Sequence, residues 1–205
     1  MIKHGWSKLF DVDILDAEGP DLELPIPNGK RIQKNLVGKD IKNYDSMLVL
    51  SHFKGHPMGG FGGALKQLSI GCASSAGKAN IHGAGKPEEM WTTEQNAFLE
   101  SMADAAESVV KLFDGKIVYI NVMKNMSVDC DCCAVAEDPC MKDIGILASL
   151  DPIAIDQACL DLVYASDDPG RDHRVERIES LNGVHTVEAA AELGFGSREY
   201  ELIEF

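Results

Sequence analysis

The segment from residue 51 to residue 85 constrains this chain more than any other, because nine of its residues are glycine. It also carries three histidines and three lysines, and it follows an apolar run at residues 47–50. Glycine lets backbone approach backbone or ligand closely and readily adopts positive φ. A loop that follows a buried strand is where an open α/β sheet places its ligand site. We therefore expect either a functional site here or a structural loop with solvated polar side chains.

The size and charge of the chain exclude several classes of protein. A length of 205 residues suits one sizeable domain, so we predict a single domain over residues 1–205. A formal net charge of −14 disfavours binding to nucleic acid or to an anionic membrane, because the summed field repels phosphate. No run of apolar residues is long enough to span a bilayer, and the first residues do not resemble a signal peptide. We expect a cytoplasmic protein.

The order of apolar runs predicts an α/β fold. Asn28 and Gly29 separate two short strand-like runs and predict an N-terminal β-hairpin. Thr92 begins a capping-box pattern ahead of a long amphipathic helix, and Asp151 begins another helix. Strands that alternate with helices indicate a mostly parallel sheet with flanking helices. The strands are predicted at residues 47–53, 116–122 and 144–149, with a final strand at 199–204.

A cysteine-rich loop follows the second of these strands. Its thiols are Cys130, Cys132, Cys133 and Cys140. Thiolates are ligands for zinc and for iron–sulfur clusters, so the loop is a candidate metal site, for an Fe–S cluster or for Fe, Zn or Ni. The spacing C-x-C-C-x₆-C matches neither a ferredoxin nor a zinc ribbon. Free thiols in a structural loop and a redox pair are the two alternatives.

Basic side chains in the glycine-rich segment suggest a second kind of site. Lys54, His56, Lys66 and His82 are the candidates for binding a cofactor or a small anionic ligand. Residues 65–70 are predicted to form one or two helical turns whose amide groups favour an anion. Asp156, near the start of its helix, is placed to face the same site.

Several segments resemble one known family. They are Ser51–Lys66, residues 69–74, residues 128–132 and residues 143–156. These are similar to the "domain of unknown function 362" proteins, which are often described as uncharacterised Fe–S centre proteins. The resemblance implies a metal- or Fe–S-binding protein with a redox role, without a ferredoxin module, and it leaves open whether the chain is an enzyme. Members usually keep a Cys-Asp-Cys like residues 130–132, but not the additional Cys133 and Cys140.

The same resemblance suggests that part of the family domain is missing. Relatives usually carry a further N-terminal portion, so the chain is expected to represent the C-terminal two-thirds of the family domain. An incomplete sheet exposes an edge, which favours a homo-oligomer.

A fainter likeness concerns Gly62–Lys66 and His82, which resemble a motif of nickel-pincer lactate racemases. It implies that Lys66 carries a cofactor or binds an anion and that His82 is a metal ligand. The motif departs from that family by the additional residue Leu65.

Overall fold

The predicted N-terminal hairpin is present in the computed structural model, which describes residues 5–19 and 21–205. Strand β1 (Leu22–Pro25) pairs antiparallel with β2 (Lys34–Val37). The turn between them is held by Asp104, whose carboxylate accepts the backbone N–H groups of residues 30–32. The hairpin is thereby fixed to the long helix that carries Asp104.

The central sheet is mixed, which corrects the expectation of a mostly parallel one. It contains β3 (Met47–His52), β6 (Ile117–Met123) and β7 (Gly145–Ser149) in the order β3-β6-β7. Strands β3 and β6 are parallel because helices connect them, whereas β6 and β7 are antiparallel. The cysteine loop joins β6 to β7 without a helical crossover, so the chain returns in the opposite direction. A small hairpin of β4 (Lys54–His56) and β5 (Gly60–Gly62) follows β3.

The helices pack on one face of this sheet. The first is a single turn, α1 (Ala64–Lys66), that continues as a π-helical turn at Gln67–Gly71. The others are α2 (Ser75–His82), α3 (Gln95–Phe113), α4 (Pro152–Ala165), α5 (Arg171–Ser180) and α6 (His185–Leu193). Single 3₁₀ turns occur at Trp6–Lys8, Lys39–Asn43 and Pro87–Glu89.

Two of the predicted helix starts can be compared with the structure. Asp151 caps α4 as expected, since its carboxylate accepts the N–H groups of Ile153 and Ala154. The prediction of a capping box at Thr92 is wrong. Glu94 is the N-cap of α3, because its own carboxylate accepts the N–H groups of Asn96 and Ala97.

The two faces of the sheet differ in their exposure. Inward-facing side chains such as Val49 and Tyr119 join one buried cluster with residues of α3 and α4. The opposite face is apolar and uncovered: Leu48, Leu50, Val118 and Ile146 are 59, 60, 43 and 64% exposed. The described part of the chain thus covers the sheet on one side only.

The prediction of a final strand at residues 199–204 is wrong. These residues are irregular, and no strand of the described chain pairs with them. No helix in the described ranges has the length and apolarity needed to cross a membrane.

Candidate metal and thiol site

The cysteine loop is held against β4 by a backbone contact that needs glycine. The N–H group of Gly55 donates to the carbonyl of Ser127 at 2.8 Å. A Cβ atom at Gly55 would lie 1.9 Å from the carbonyl oxygen of Val128. The two segments therefore approach each other so closely that Cys130, two residues later, is placed beside His56.

Two arginines of α5 hold the same loop from the other side. The buried Arg174 donates from Nη1 to the carbonyl of Ser127 at 2.7 Å. Arg177 donates to the carbonyl of Val128 at 3.2 Å and to a carboxylate oxygen of Asp129 at 3.1 Å. Neither arginine was predicted from the sequence. Their spacing of three residues, which puts both on one side of a helix, was the available signal.

Three potential metal ligands come together at this point. A ring nitrogen of His56 and the Sγ atoms of Cys130 and Cys132 all lie within 4.8 Å of one another. His56 and Cys130 are buried, whereas Cys132 is exposed. Two soft sulfur atoms and one imidazole nitrogen form a set that zinc and other transition metals accept.

The two thiols of this group are in direct contact. The Cys132 thiol donates to Sγ of Cys130 at 2.8 Å, and the Cys132 backbone N–H also points to that sulfur at 3.4 Å. The hydrogen bond to Cys130 raises the pKa of Cys132 to about 11, with burial acting in the same direction. Cys130 thus accepts two hydrogen bonds, both from Cys132.

The other two cysteines of the loop do not belong to this group. Cys133 is half-buried. The Cys140 thiol points to the carbonyl of Met126 at 3.5 Å, and burial raises its pKa. Of the four candidate thiols of the loop, Cys130 and Cys132 therefore lie at the site, and Cys133 and Cys140 lie outside it.

His56 has a defined tautomer in this structure. Its Nδ1 atom accepts the N–H groups of Met58 and Gly59 at 3.2 and 2.9 Å. A neutral imidazole has a single free nitrogen lone pair, so the proton is on Nε2. Burial, with a further contribution from Lys66, lowers the pKa of His56 to about 3. The ring is therefore neutral at physiological pH, and its lone pair is used by its own hairpin.

Positive charge surrounds the thiol pair. Lys54 forms an ion pair with Asp131 at 3.2 Å, and His52 lies 3.0 Å from the same carboxylate. Lys66 has no ion-pair partner in the described part of the chain. Burial lowers its pKa, and the neighbouring Cys130 opposes this shift. Asp131 therefore pairs with Lys54, while the neighbouring groups that raise the pKa of Lys66 are the two thiols and Asp131.

His82 lies beyond the three-ligand group but is connected to it through Lys66. Its Nδ1 atom points to the carbonyl of Lys78 at 2.7 Å, and its ring stacks on Phe98 with centroids 4.8 Å apart. Burial lowers the pKa of His82, and Lys66 lowers it further. Because Nδ1 donates to a carbonyl, the lone pair is on Nε2, which is the tautomer common among metal-binding histidines.

The expected anion at the start of the helical turns is part of the protein itself. Asp156 is fully buried and accepts the N–H groups of Ala64 and Leu65 at 2.7 and 2.9 Å, and the side chain of Asn121 at 2.8 Å. Burial raises its pKa to about 6. Asp156 therefore occupies the position at which an external anion was expected, and its role is to hold α1 against β6.

Comparison with known proteins supports one assignment. A family model described as "Domain of unknown function (DUF362)" matches residues 1–161. Neither the curated proteins nor the solved structures gave a match. The chain belongs to the DUF362 family, whose function is uncharacterised.

Proposed function

We propose that the chain binds a single transition-metal ion through the thiolates of Cys130 and Cys132, with His56 as third ligand. The observation that carries this proposal is the convergence of these three ligand atoms within 4.8 Å. A set of two cysteines and one histidine, with the fourth position open, is known from catalytic zinc sites. When bound, such an ion supplies Lewis acidity toward whatever ligand occupies the open position.

The two thiols are already in contact with each other, whereas His56 requires a change. The Lys66 ammonium opposes the rise in the pKa of Cys132, and metal binding displaces the thiol protons. The lone pair of His56, however, accepts hydrogen bonds from its own hairpin. Metal binding therefore requires a half-turn of the His56 ring or a new tautomer. We expect the hydrogen bonds from the N–H groups of Met58 and Gly59 to His56 to be lost when the metal binds.

The ligand set favours one metal ion over an iron–sulfur cluster. Clusters are generally held by four cysteine ligands, and only two are in contact here. Cys133 and Cys140 would have to leave their positions to complete a cluster. Zn²⁺, Fe²⁺ and Ni²⁺ remain candidates, because each accepts mixed sulfur and nitrogen ligands.

The test is metal analysis of protein purified without oxygen, combined with five variants. We expect about one metal ion per chain, lost in Cys130→Ser and Cys132→Ser and retained in the matched controls Cys133→Ser and Cys140→Ser. His56→Asn separates ligation from folding, because an asparagine oxygen can still accept the N–H groups of the hairpin. Metal that persists in Cys130→Ser, or that is absent from the unaltered protein, would refute the proposal.

A reversible disulfide is the second candidate function, and the sulfur contact favours it. The two Sγ atoms are 2.8 Å apart, and in this structure His56 presents an N–H group instead of a lone pair. Oxidation would join the two sulfurs and release two protons and two electrons to a thiol–disulfide partner. Thiol titration after incubation in glutathione buffers tests it. Loss of two thiols in the unaltered chain but not in Cys132→Ser supports this function, and constant thiol content excludes it.

A further inference from the structure

A cleft at the edge of the sheet is separate from the thiol site. It has a volume of about 690 Å³ and lies between β7 and the C-terminal residues 200–205, with α4 as its floor. Ala154, Ala158 and Leu162 are among the α4 residues that line it. The cleft is therefore apolar at its base and lies between β7 and the C-terminal residues.

The main chain on both sides of the cleft lacks backbone partners. Strand β7 pairs with β6 on one edge, and within the described ranges no strand pairs with its other edge. Residues 201–205 make no backbone–backbone hydrogen bond in the described structure. Leu202 and Ile203 are 54 and 63% exposed. Unpaired edges of this kind are the usual site for the addition of a further strand.

The charge of the cleft indicates what kind of strand fits. Glu201 and Glu204 are the charged residues among those that line it. A second copy of this chain would bring more negative charge, because the chain carries a net charge of −14. A second copy could offer the exposed segment of residues 10–15, but this segment contains Asp11 and Asp13. Like charges at a strand pair are destabilising, so this segment is disfavoured as an occupant.

We propose that this cleft accepts an extended segment of a different polypeptide, with alternating apolar and basic side chains, as a strand added to β7. The backbone of that segment pairs with the free edge of β7. Its apolar side chains lie on α4, and its basic side chains face Glu201 and Glu204. This proposal does not depend on the metal site.

The test uses the full chain and a fluorescein-labelled peptide of alternating valine and lysine. We expect saturable binding by fluorescence anisotropy, weakened about tenfold or more in Glu201→Lys/Glu204→Lys. The matched control is Glu199→Lys, which alters an exposed acid outside the cleft and is expected to bind normally. A peptide of the same sequence with alternate backbone nitrogens methylated is expected not to bind, because it cannot complete the ladder.

Three outcomes would overturn the proposal. One is equal binding of a peptide in which glutamate replaces lysine. Another is hydrogen-exchange protection of both residues 145–149 and residues 201–205 in the free chain at all concentrations, which would mean that the tail itself closes on β7. The third is a dimer, detected by light scattering, in which β7 becomes protected from hydrogen exchange. A second copy of the chain would then be the occupant of the cleft.

Discussion

At the scale of single residues, the protonation state of His56 connects the site to the stability of the fold. Its pKa is lowered from the ordinary value of 6.5 to about 3, because burial disfavours the charged ring. The unfolded chain therefore binds a proton below pH 6.5 that the folded chain does not bind until about pH 3. The stability contributed by a neutral His56 is present above pH 6.5 and is lost as the pH falls toward 3.

This difference in pKa predicts that the free energy of unfolding depends on pH, and that one variant weakens this dependence. The free energy of unfolding is expected to fall by up to about 1.4 kcal/mol for each pH unit below 6.5. In His56→Asn that slope is expected to be smaller, because asparagine does not titrate. Urea unfolding at a series of pH values between 4 and 7 measures the free energy of unfolding of both proteins. Identical slopes would show that the His56 ring is not held neutral by the fold.

Lys66 is the residue expected to control the reactivity of the thiol pair. Its ammonium lowers the pKa of Cys132, in opposition to the hydrogen bond from Cys132 to Cys130. In Lys66→Met, alkylation of the pair by iodoacetamide at neutral pH is expected to slow about tenfold, since a nearby opposite charge favours the thiolate. Lys78→Met is the matched control. Unchanged rates in Lys66→Met would show that the charge of Lys66 does not act on the thiols.

At the scale of elements, the site depends on the contact between β4 and the cysteine loop. Gly55→Ala places a Cβ atom against the carbonyl oxygen of Val128, so strand and loop must separate. We expect a loss of about 1–3 kcal/mol in the free energy of unfolding and weaker metal binding. Gly19→Ala, where nothing lies within 4 Å, is the control and is expected to change stability by about 0.5 kcal/mol or less. Unchanged stability in Gly55→Ala would contradict this contact.

Local patterns predicted the elements better than their arrangement. Asn28-Gly29 indicated the hairpin and Asp151 the start of α4, because each acts through its own neighbours. The predicted direction of β7 was wrong, because that direction depends on how the cysteine loop returns to the sheet. The proximity of His56 to Cys130 was not predicted either. It depends on the close approach of Gly55 to Val128 and on the arginines of α5, which are contacts between segments far apart in sequence.

At the scale of the whole molecule, the uncovered face of the sheet is the feature that remains to be explained. Leu48 and Leu50 alternate with the buried Val49 along β3, so one strand has an apolar side toward the core and an apolar side toward solvent. Strands that are apolar on both faces are typical of sheets covered on both sides. Flanking helices were expected from the sequence, and in the described part of the chain the sheet is covered on one side only. The expectation of a homo-oligomer stays a prediction.

If that face is bare in the isolated chain, a charge placed on it should have little effect on folding. Leu50→Glu is expected to change the free energy of unfolding by less than about 1 kcal/mol and to reduce self-association, because the carboxylate stays in water. Val49→Glu, one residue away on the opposite face, is expected to cost about 3 kcal/mol or more, since it buries an unpaired charge. Urea unfolding and light scattering on the two variants measure both effects. A large loss of stability in Leu50→Glu would mean that the face is covered in solution, and a concentration dependence of that loss would identify a second copy of the chain as the cover.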